Sequence, residues 1–388
     1  MDFAQSPQQD AIQEAVSRIC ARFDDDYWLE RDRDGVFPFE FYDALGRDGW
    51  LGICTAPQYG GSGLGVADAA IMMRTIAESG AGMSGCSAVH VNIFGLKPVE
   101  VYGTEAQKER ALRPIAEGQE KACFAVTEPD AGLNTTHLKL RAEKRDDGYH
   151  VFGQKVWIST AQVADRMLLL ARTQPRETVK KPTQGLSLFY TRFDRERIAV
   201  REIEKMGRKC VDSNELFFDD FVIPEEDLIG EEGRGFEYIL HGLNPERILI
   251  AAEAVGLGMA ALNKASRYAR ERVVFDRPIG KNQGVQHPLA KCWCNLEAAW
   301  LMVLNAAWQY DQGMNCAAAA NCAKYLAGEA GFEACHTAIM THGGFGYAKE
   351  YHVERYLREV MVPRIAPVSP QLVLSFIAER VLGLPKSY

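Results

Sequence analysis

The chain has 388 residues, which is more than one compact hydrophobic core usually holds, so two or three domains are expected. Its content of 47% hydrophobic and 25% charged residues is that of an ordinary soluble globular protein. The formal net charge of −8 argues against nonspecific nucleic-acid binding, which depends on cationic contacts to phosphate.

The first part of the chain, residues 1–120, has helical patterns. Pro7 after Ser6 is a helix-start signal, and apolar residues recur on one face as far as Ile19. Further helices are predicted over residues 39–48, 66–78, 87–102 and 107–115. These patterns predict an N-terminal helical domain.

The middle part, residues 121–232, consists of short segments rich in branched and aromatic residues. Asp146-Asp147-Gly148 is a hairpin signal, and Gly153-Gln154 marks a second turn. Strands are predicted over residues 123–126, 139–144, 149–152, 155–160, 167–171, 186–190, 198–203 and 216–222. This pattern predicts a β-domain.

The last part, residues 233–388, returns to helical periodicity. Long helices are predicted over residues 247–273, 285–312 and 316–342, and a shorter one over 370–382. Long helices with short connections indicate a helical bundle.

Ten cysteines are scattered along the chain. Cys292 and Cys294 lack the usual zinc spacing and have no second ligand pair, so no metal site is expected. Reduced, buried thiols indicate a reducing compartment, either a bacterial cytoplasm or a mitochondrial matrix after removal of a transit peptide. No stretch of eighteen consecutive apolar residues is present, so no membrane span is expected.

Two motifs in the middle part resemble the acyl-CoA dehydrogenase family. The sequence TEPDAG occupies residues 127–132, and KVWIS occupies residues 155–159. The order of helical, β and helical parts also matches the family, so the resemblance covers nearly the whole chain. It implies an α+β multidomain protein with an N-terminal helical domain, a middle β-barrel-like domain and a C-terminal four-helix bundle.

The resemblance implies a bound FAD. It implies that Phe124, Val126 and Thr127 contact the isoalloxazine ring. It also implies that Trp157 covers the other face of the ring and that Ser159, in place of the more common threonine, donates its hydroxyl near N5.

A second set of residues matches the family's site for the ADP half of FAD, which lies against a neighbouring subunit. Arg272 is expected to hold pyrophosphate oxygens and Phe275 to pack against the adenosine, with Gln283 completing the signature. Gly343 and Gly344 match a second element that approaches the phosphates. The chain departs from the common pattern at Leu133, Asp276 and Met340.

The family's reaction needs a carboxylate that removes the α-proton of a thioester. In many members this glutamate lies in a loop before the last helix, but here residues 366–369 contain no glutamate. A branch that resembles isovaleryl-CoA and long-chain acyl-CoA dehydrogenases places the base on a helix, in a pattern that matches residues 243–249. Glu246 is therefore the predicted base. The alternative is that Glu246 only favours a helix N-terminus after Pro245.

The loop before the last helix is expected to retain part of its role. Pro367 has no N–H, so either the Val368 amide polarises the thioester carbonyl or the polarisation is weaker. Ser369 and Gln371 match polar residues that contact the cofactor.

Arg247 matches an arginine of the active-site region, and His90 is a candidate substrate contact, although a lone histidine there is more often structural.

These residues predict an FAD-dependent acyl-CoA dehydrogenase that passes electrons to an electron-transferring flavoprotein and forms a homotetramer. One alternative is a family member that acts on sulfinyl acyl-CoA, on carrier-protein thioesters or with oxygen. Another is a flavin-free scaffold, against which the retained residues Trp157, Ser159, Arg272 and Gln283 argue.

Overall fold

A computed structural model of the protein describes residues 5–387. The N-terminal part contains eight helices within these residues: α1 Pro7–Cys20, α2 Asp25–Asp34, α3 Phe39–Arg47, α4 Val66–Ile76, α5 Gly82–Val89, α6 Val91–Phe94, α7 Lys97–Tyr102 and α8 Glu105–Ala116. The first helix begins where the sequence predicts, because Ser6 and Gln9 cap each other's backbone N–H groups at 3.2 and 3.0 Å.

Two helical predictions in this part are wrong in detail. Helix α2 was not predicted, because its sequence DDYWLERDRD is mostly charged and buries only Trp28, Leu29 and Asp32. The single helix predicted over residues 87–102 is instead divided into three, and the third begins at Lys97-Pro98, where proline favours a new start.

The middle part forms an eight-stranded sheet with the order β6-β7-β3-β2-β4-β5-β8, and β1 pairs in parallel with β4. The strands are β1 Ala122–Ala125, β2 Arg141–Arg145, β3 Gly148–Ser159, β4 Arg166–Arg172, β5 Leu186–Arg192, β6 Ile198–Glu202, β7 Ser213–Ile223 and β8 Leu228–Ile229. The turn predicted at Gly153-Gln154 is wrong, since β3 continues through it. Gly153 has a φ of 128°, and the register against β7 shifts there and again between Lys155 and Ile158.

The C-terminal part contains α9 Gly235–Glu271, α10 Gln283–Asp311, α11 Ala317–His342, α12 Val353–Glu359, α13 Met361–Ile365 and α14 Pro370–Arg380. The short strands β9 Val273–Val274 and β10 Arg277–Pro278 form a separate hairpin. Helix α9 begins well before the predicted start at Arg247, so Pro245 lies inside it. Tertiary burial of this helix outweighs the hydrogen bond that proline removes. Glu246 is consequently not at a helix N-terminus, which removes the alternative explanation for it.

The two helical parts share one hydrophobic core, in which α9 packs against α4, α10 and α11. The sheet has its own interior, and a third apolar cluster joins the sheet to α7, α8 and the start of α9. The fold class is therefore as predicted: a helical N-terminal domain, a middle β-domain and a C-terminal helical domain. This arrangement brings α5, α6, α9 and the sheet together at one junction.

Two helical segments are long and apolar enough to cross a membrane by length and composition alone, Gly235–Glu271 and Val353–Arg380. The most apolar window of the first is 89% buried within the protein, as in the core helix of a soluble fold, whereas that of the second is 17% buried. The absence of a membrane span stays a prediction.

Candidate active site

Glu246 lies on α9 at the junction of the helical parts and the sheet. Its carboxylate has no hydrogen-bond or ion-pair partner among residues 5–387, although most of the side chain is shielded from solvent. Burial raises the pKa of Glu246 to about 7 and the charge of Glu253 adds to the rise, whereas Arg247 and His90 oppose it. A carboxylate without a partner and with a pKa near neutrality is suited to accept a proton.

Glu253 lies two turns further along α9 and is completely buried. Its Oε1 accepts a hydrogen bond from His90 Nδ1 at 2.9 Å, because an ionised carboxylate can only accept. Its Oε2 has no partner within the described residues. His90, at the end of α5, therefore has a fixed ring orientation, and its Nε2 remains without a partner in residues 5–387.

Arg247 is directed along its own helix. Its Nη1 donates to the Leu243 carbonyl at 3.3 Å and to Asn244 Oδ1 at 3.0 Å, and its buried Nε has no partner in the described chain. Burial lowers the pKa of this guanidinium, and the charge of Glu246 opposes that shift. The expected contact with substrate stays a prediction.

The TEPDAG turn is attached to β3 by two buried charges. Glu128 accepts hydrogen bonds from the backbone N–H groups of Lys139 at 2.7 Å and Leu140 at 3.0 Å. The fully buried Lys155 donates to Glu128 at 2.9 Å and to the Val126 carbonyl at 2.8 Å. These motif residues therefore hold the turn in place.

The residues predicted to contact the isoalloxazine ring lie around this turn. Phe124 packs edge-on against Phe94 at 5.7 Å, and Val126 and Thr127 follow, both half-buried. Trp157 is 58% exposed at a φ of 63°, where the β3 register shift directs it outward. An exposed indole beside half-buried apolar residues provides the apolar wall that a flavin ring requires.

Ser159 ends β3 and is partly exposed. Its Oγ accepts a hydrogen bond at 3.1 Å from Arg208, which lies in the loop between β6 and β7. The hydroxyl proton of Ser159 has no acceptor among residues 5–387, so it is free to be donated to a ligand.

A second cluster lies at the far end of α9. Arg272, Met340, Gly343 and Gly344 line a groove of about 720 Å³. Arg272 lies over the Phe345 ring at 5.5 Å and has no carboxylate partner in the described part of the chain. The backbone of both glycines faces open space, as close approach to a phosphate requires.

The other residues predicted for the ADP half lie at the surface near this groove. Phe275 is 93% exposed, and Gln283 is exposed at the start of α10. Residues 246 and 272 are about 39 Å apart along the axis of α9, given a rise of roughly 1.5 Å per residue. This distance exceeds the length of one FAD, so within one chain the structure does not bring the two predicted halves of the site together.

The loop before α14 is held by a buried lysine. Lys324 Nζ donates to the Val368 carbonyl at 2.5 Å and to the Arg364 carbonyl at 3.3 Å. Burial and the charge of Arg247 lower the pKa of Lys324 to about 8. Ser369 Oγ accepts from the Leu372 N–H at 3.3 Å as the cap of α14, and Gln371 is exposed.

Sequence reasoning missed Arg208, Glu253 and Lys324. Glu253 has a weak signal, because it follows Glu246 by seven residues and so lies on the same face of a helix. Arg208 and Lys324 have no local signal, since their partners are distant in the chain.

Comparison with known proteins gives matches along the chain. Family models described as the N-terminal, middle and C-terminal domains of acyl-CoA dehydrogenase match residues 6–119, 123–221 and 233–382. The acyl-CoA dehydrogenase FadE12 of Mycobacterium tuberculosis is 35% identical over 100% of this chain and 99% of its own length.

Two further proteins are similar over most of their length. The CarC subunit of the caffeyl-CoA reductase-Etf complex of Acetobacterium woodii is 34% identical over 86% of this chain and 87% of its own. The structure of butyryl-CoA dehydrogenase from Megasphaera elsdenii matches with a TM-score of 0.93 and 29% identity, over 98% of this chain and 100% of that one.

Proposed function

This chain belongs to the acyl-CoA dehydrogenase family, and we propose that Glu246 is the base of its FAD-dependent reaction. The enzyme is an oxidoreductase that acts on CH–CH groups of acyl-CoA thioesters. The observation on which the assignment of the base depends is the unpartnered carboxylate of Glu246, with its pKa raised to about 7, inside α9.

In the proposed reaction, the Glu246 carboxylate takes the proton from the carbon next to the thioester carbonyl. The electron pair of that C–H bond becomes the α,β double bond, and the β-hydrogen leaves with its own electron pair. FAD, when bound, supplies the acceptor for this hydride. Arg247 and the fixed His90 ring bound the space beside Glu246 and orient the acyl chain there.

The residues of this chain fit an FAD. Phe124, Val126, Thr127 and Trp157 would hold the isoalloxazine ring, and Ser159 would donate its hydroxyl near N5. What supports this is the exposed indole beside the half-buried turn, together with the free hydroxyl proton.

The ADP half is assigned to the groove at the other end of α9, on a second copy of the chain. Arg272, Phe275, Gln283, Gly343 and Gly344 would hold it, and Ser369 and Gln371 would contact the cofactor from the loop before α14.

A homotetramer follows from this division, because each flavin needs residues from two chains. Exposed apolar side chains along α10 support association: Trp293, Leu301 and Trp308. We assign a tetramer because two such pairs leave the α10 faces to cover each other.

We further propose that the enzyme passes electrons to an electron-transferring flavoprotein, as the name of the Acetobacterium relative states for that protein. A cytoplasmic location is supported by the bacterial relatives and by ten free cysteines, of which Cys294 is the exposed one.

The test is an anaerobic titration of the purified yellow protein with a panel of acyl-CoAs, in which bleaching of the flavin absorbance reports dehydrogenation. Glu246→Gln should retain FAD and lose roughly 10²–10⁴-fold in the rate of bleaching. Glu237→Gln, an exposed glutamate of the same helix that pairs with Arg234, is the matched control and should bleach at the wild-type rate.

Bleaching of the Glu246→Gln variant at the wild-type rate would show that another group is the base. A wild-type protein that is bleached by carrier-protein thioesters, and by none of the acyl-CoAs, would instead be a carrier-protein-specific member of the family.

A further inference from the structure

Arg208 connects three parts of the chain beneath the site. It lies in the loop between β6 and β7 with a φ of 55°. Its Nη1 donates to Ser87 Oγ on α5 at 3.0 Å, and its Nη2 donates to Ser159 Oγ on β3 at 3.1 Å and to Ser213 Oγ on β7 at 3.3 Å. The guanidinium therefore joins the substrate-side helix to the strand that carries the predicted flavin contact.

The chemistry of this contact determines where the serine protons point. A guanidinium can only donate hydrogen bonds, so each serine oxygen that it contacts is an acceptor in that bond. The single proton of each hydroxyl is then available for a different acceptor. An oxygen that accepts from a charged donor is also polarised, which makes its own O–H a stronger donor.

Of the three serines, Ser159 is the one that reaches the site. Ser87 and Ser213 are buried, at 1% and 2% exposure, whereas Ser159 is partly exposed at the end of β3. No acceptor for the Ser159 proton exists among residues 5–387. The proton is therefore directed toward the space that a bound ligand would fill.

The charge of Arg208 is not neutralised by a direct partner. No carboxylate lies within ion-pair distance of it in the described residues, and its buried Nε has no hydrogen-bond partner. Burial lowers the pKa of Arg208, while Glu253, Glu359 and Asp212 oppose the shift from farther away. A desolvated cation of this kind is costly as a purely structural element, which favours a functional role.

We propose that Arg208 is a positioning residue that holds the Ser159 oxygen as an acceptor and so commits the Ser159 hydroxyl proton to the flavin. The inference depends on the role of Ser159 in the proposed function and extends it to a residue that makes no contact of its own with the reacting atoms.

The test is a double-mutant cycle of Arg208→Met and Ser159→Ala in the FAD-loaded enzyme. The measured quantities are the FAD reduction potential, obtained by photoreduction against a reference dye, and the rate of anaerobic bleaching by acyl-CoA. In the wild-type background, Arg208→Met should move the potential to more negative values and slow bleaching about tenfold.

In the Ser159→Ala background, Arg208→Met should have a much smaller effect on both quantities, because the hydroxyl through which it acts is gone. Ser87→Ala is the matched control. It removes another partner of Arg208 that has no access to the site, and it should leave the potential at the wild-type value.

Equal effects of Arg208→Met in both backgrounds would overturn the inference, since Arg208 would then act independently of Ser159. If Arg208→Met does not retain FAD, Arg208→Lys replaces it in the same cycle with the same criteria.

The failure of the proposed function has a different signature. A wild-type protein that no acyl thioester bleaches would contradict the dehydrogenase proposal, while the potentials would still test Arg208. A Ser159→Ala variant with an unchanged potential would contradict the role of Ser159 itself.

Discussion

Two buried acidic clusters lie in the helical core, and the protein treats them differently. In the paired cluster, Glu359 is completely buried and both of its oxygens have partners: Ser84 Oγ at 2.8 Å, the Ser84 N–H at 3.2 Å and Arg355 at 3.3 Å. In the unpaired cluster of Glu246, Glu253 and His90, Glu246 has no partner and Glu253 Oε2 has none among residues 5–387.

The difference separates stability from function. A buried carboxylate that is fully paired contributes to the fold and has no capacity left for a proton or a ligand. A buried carboxylate without a partner destabilises the fold, and the same missing interactions leave it able to accept a proton from a substrate. Each prediction below tests whether the two clusters divide in this way.

The largest expected effect is on stability, at the paired cluster. Glu359→Gln leaves the buried Arg355 without its ion-pair partner and should lower the free energy of unfolding by roughly 3–5 kcal/mol. Urea unfolding followed by circular dichroism measures the change. The control, Glu14→Gln, breaks an exposed pair with Arg18 and should change it by less than about 1 kcal/mol. A Glu359→Gln variant that unfolds at the wild-type urea concentration would contradict the structural role.

A second effect is acid sensitivity at Asp32, a buried carboxylate that is paired like Glu359. Burial acts against ionisation, but the hydrogen bonds and charge of Arg358, at 2.7 and 3.0 Å, lower the pKa of Asp32 below its ordinary value. Because the folded pKa is lower than the unfolded one, the pairing stabilises the fold above the unfolded pKa and is lost as the pH falls through the folded pKa.

Asp32→Asn should therefore cost roughly 1.5–3 kcal/mol at neutral pH. The difference between the variant and the wild type should shrink in urea titrations below a pH of about 4. A difference that is the same at acidic and neutral pH would show that the charge of Asp32 is not involved.

A third effect has the opposite sign, at Glu246. Its folded pKa of about 7 lies above the ordinary value of 4.5, so the folded state holds a proton that the unfolded state has lost. The stability of the wild type should fall as the pH rises through this interval. Glu246→Gln removes the titration, so its unfolding free energy should gain roughly 1–2 kcal/mol on the wild type between pH 5 and pH 8. Parallel pH profiles of the two proteins would mean that Glu246 is not desolvated in the folded state.

The sequence predicted the residues of this comparison unequally. Glu246 could be found from a helix motif together with the missing loop glutamate, and the strands and long helices followed from periodicity. The extent of α9 could not be found, because Pro245 is a local stop signal that tertiary packing overrides.

The partners of the unpaired cluster were also beyond local patterns. Arg208 meets Ser159 and Ser87 across 49 and 121 residues of chain, and His90 meets Glu253 across 163. Such contacts exist only once the sheet and the two helical parts are packed together. What could be predicted is the residue type that the chemistry requires, and what could not is the set of groups that adjusts it.

The smallest expected effect tests that adjustment directly. Glu253 raises the pKa of Glu246 by charge, whereas His90 lowers it. Glu253→Gln should therefore move the acidic limb of the kcat/KM profile for acyl-CoA to lower pH by about 0.5 unit, and His90→Gln should move it to higher pH. The opposite directions matter, because a general loosening of the site would lower the rate in both variants without moving the limbs apart. If both limbs stay at the wild-type pH, the unpaired cluster does not tune its base. Glu253 Oε2 would then be an unsatisfied group that burial alone explains.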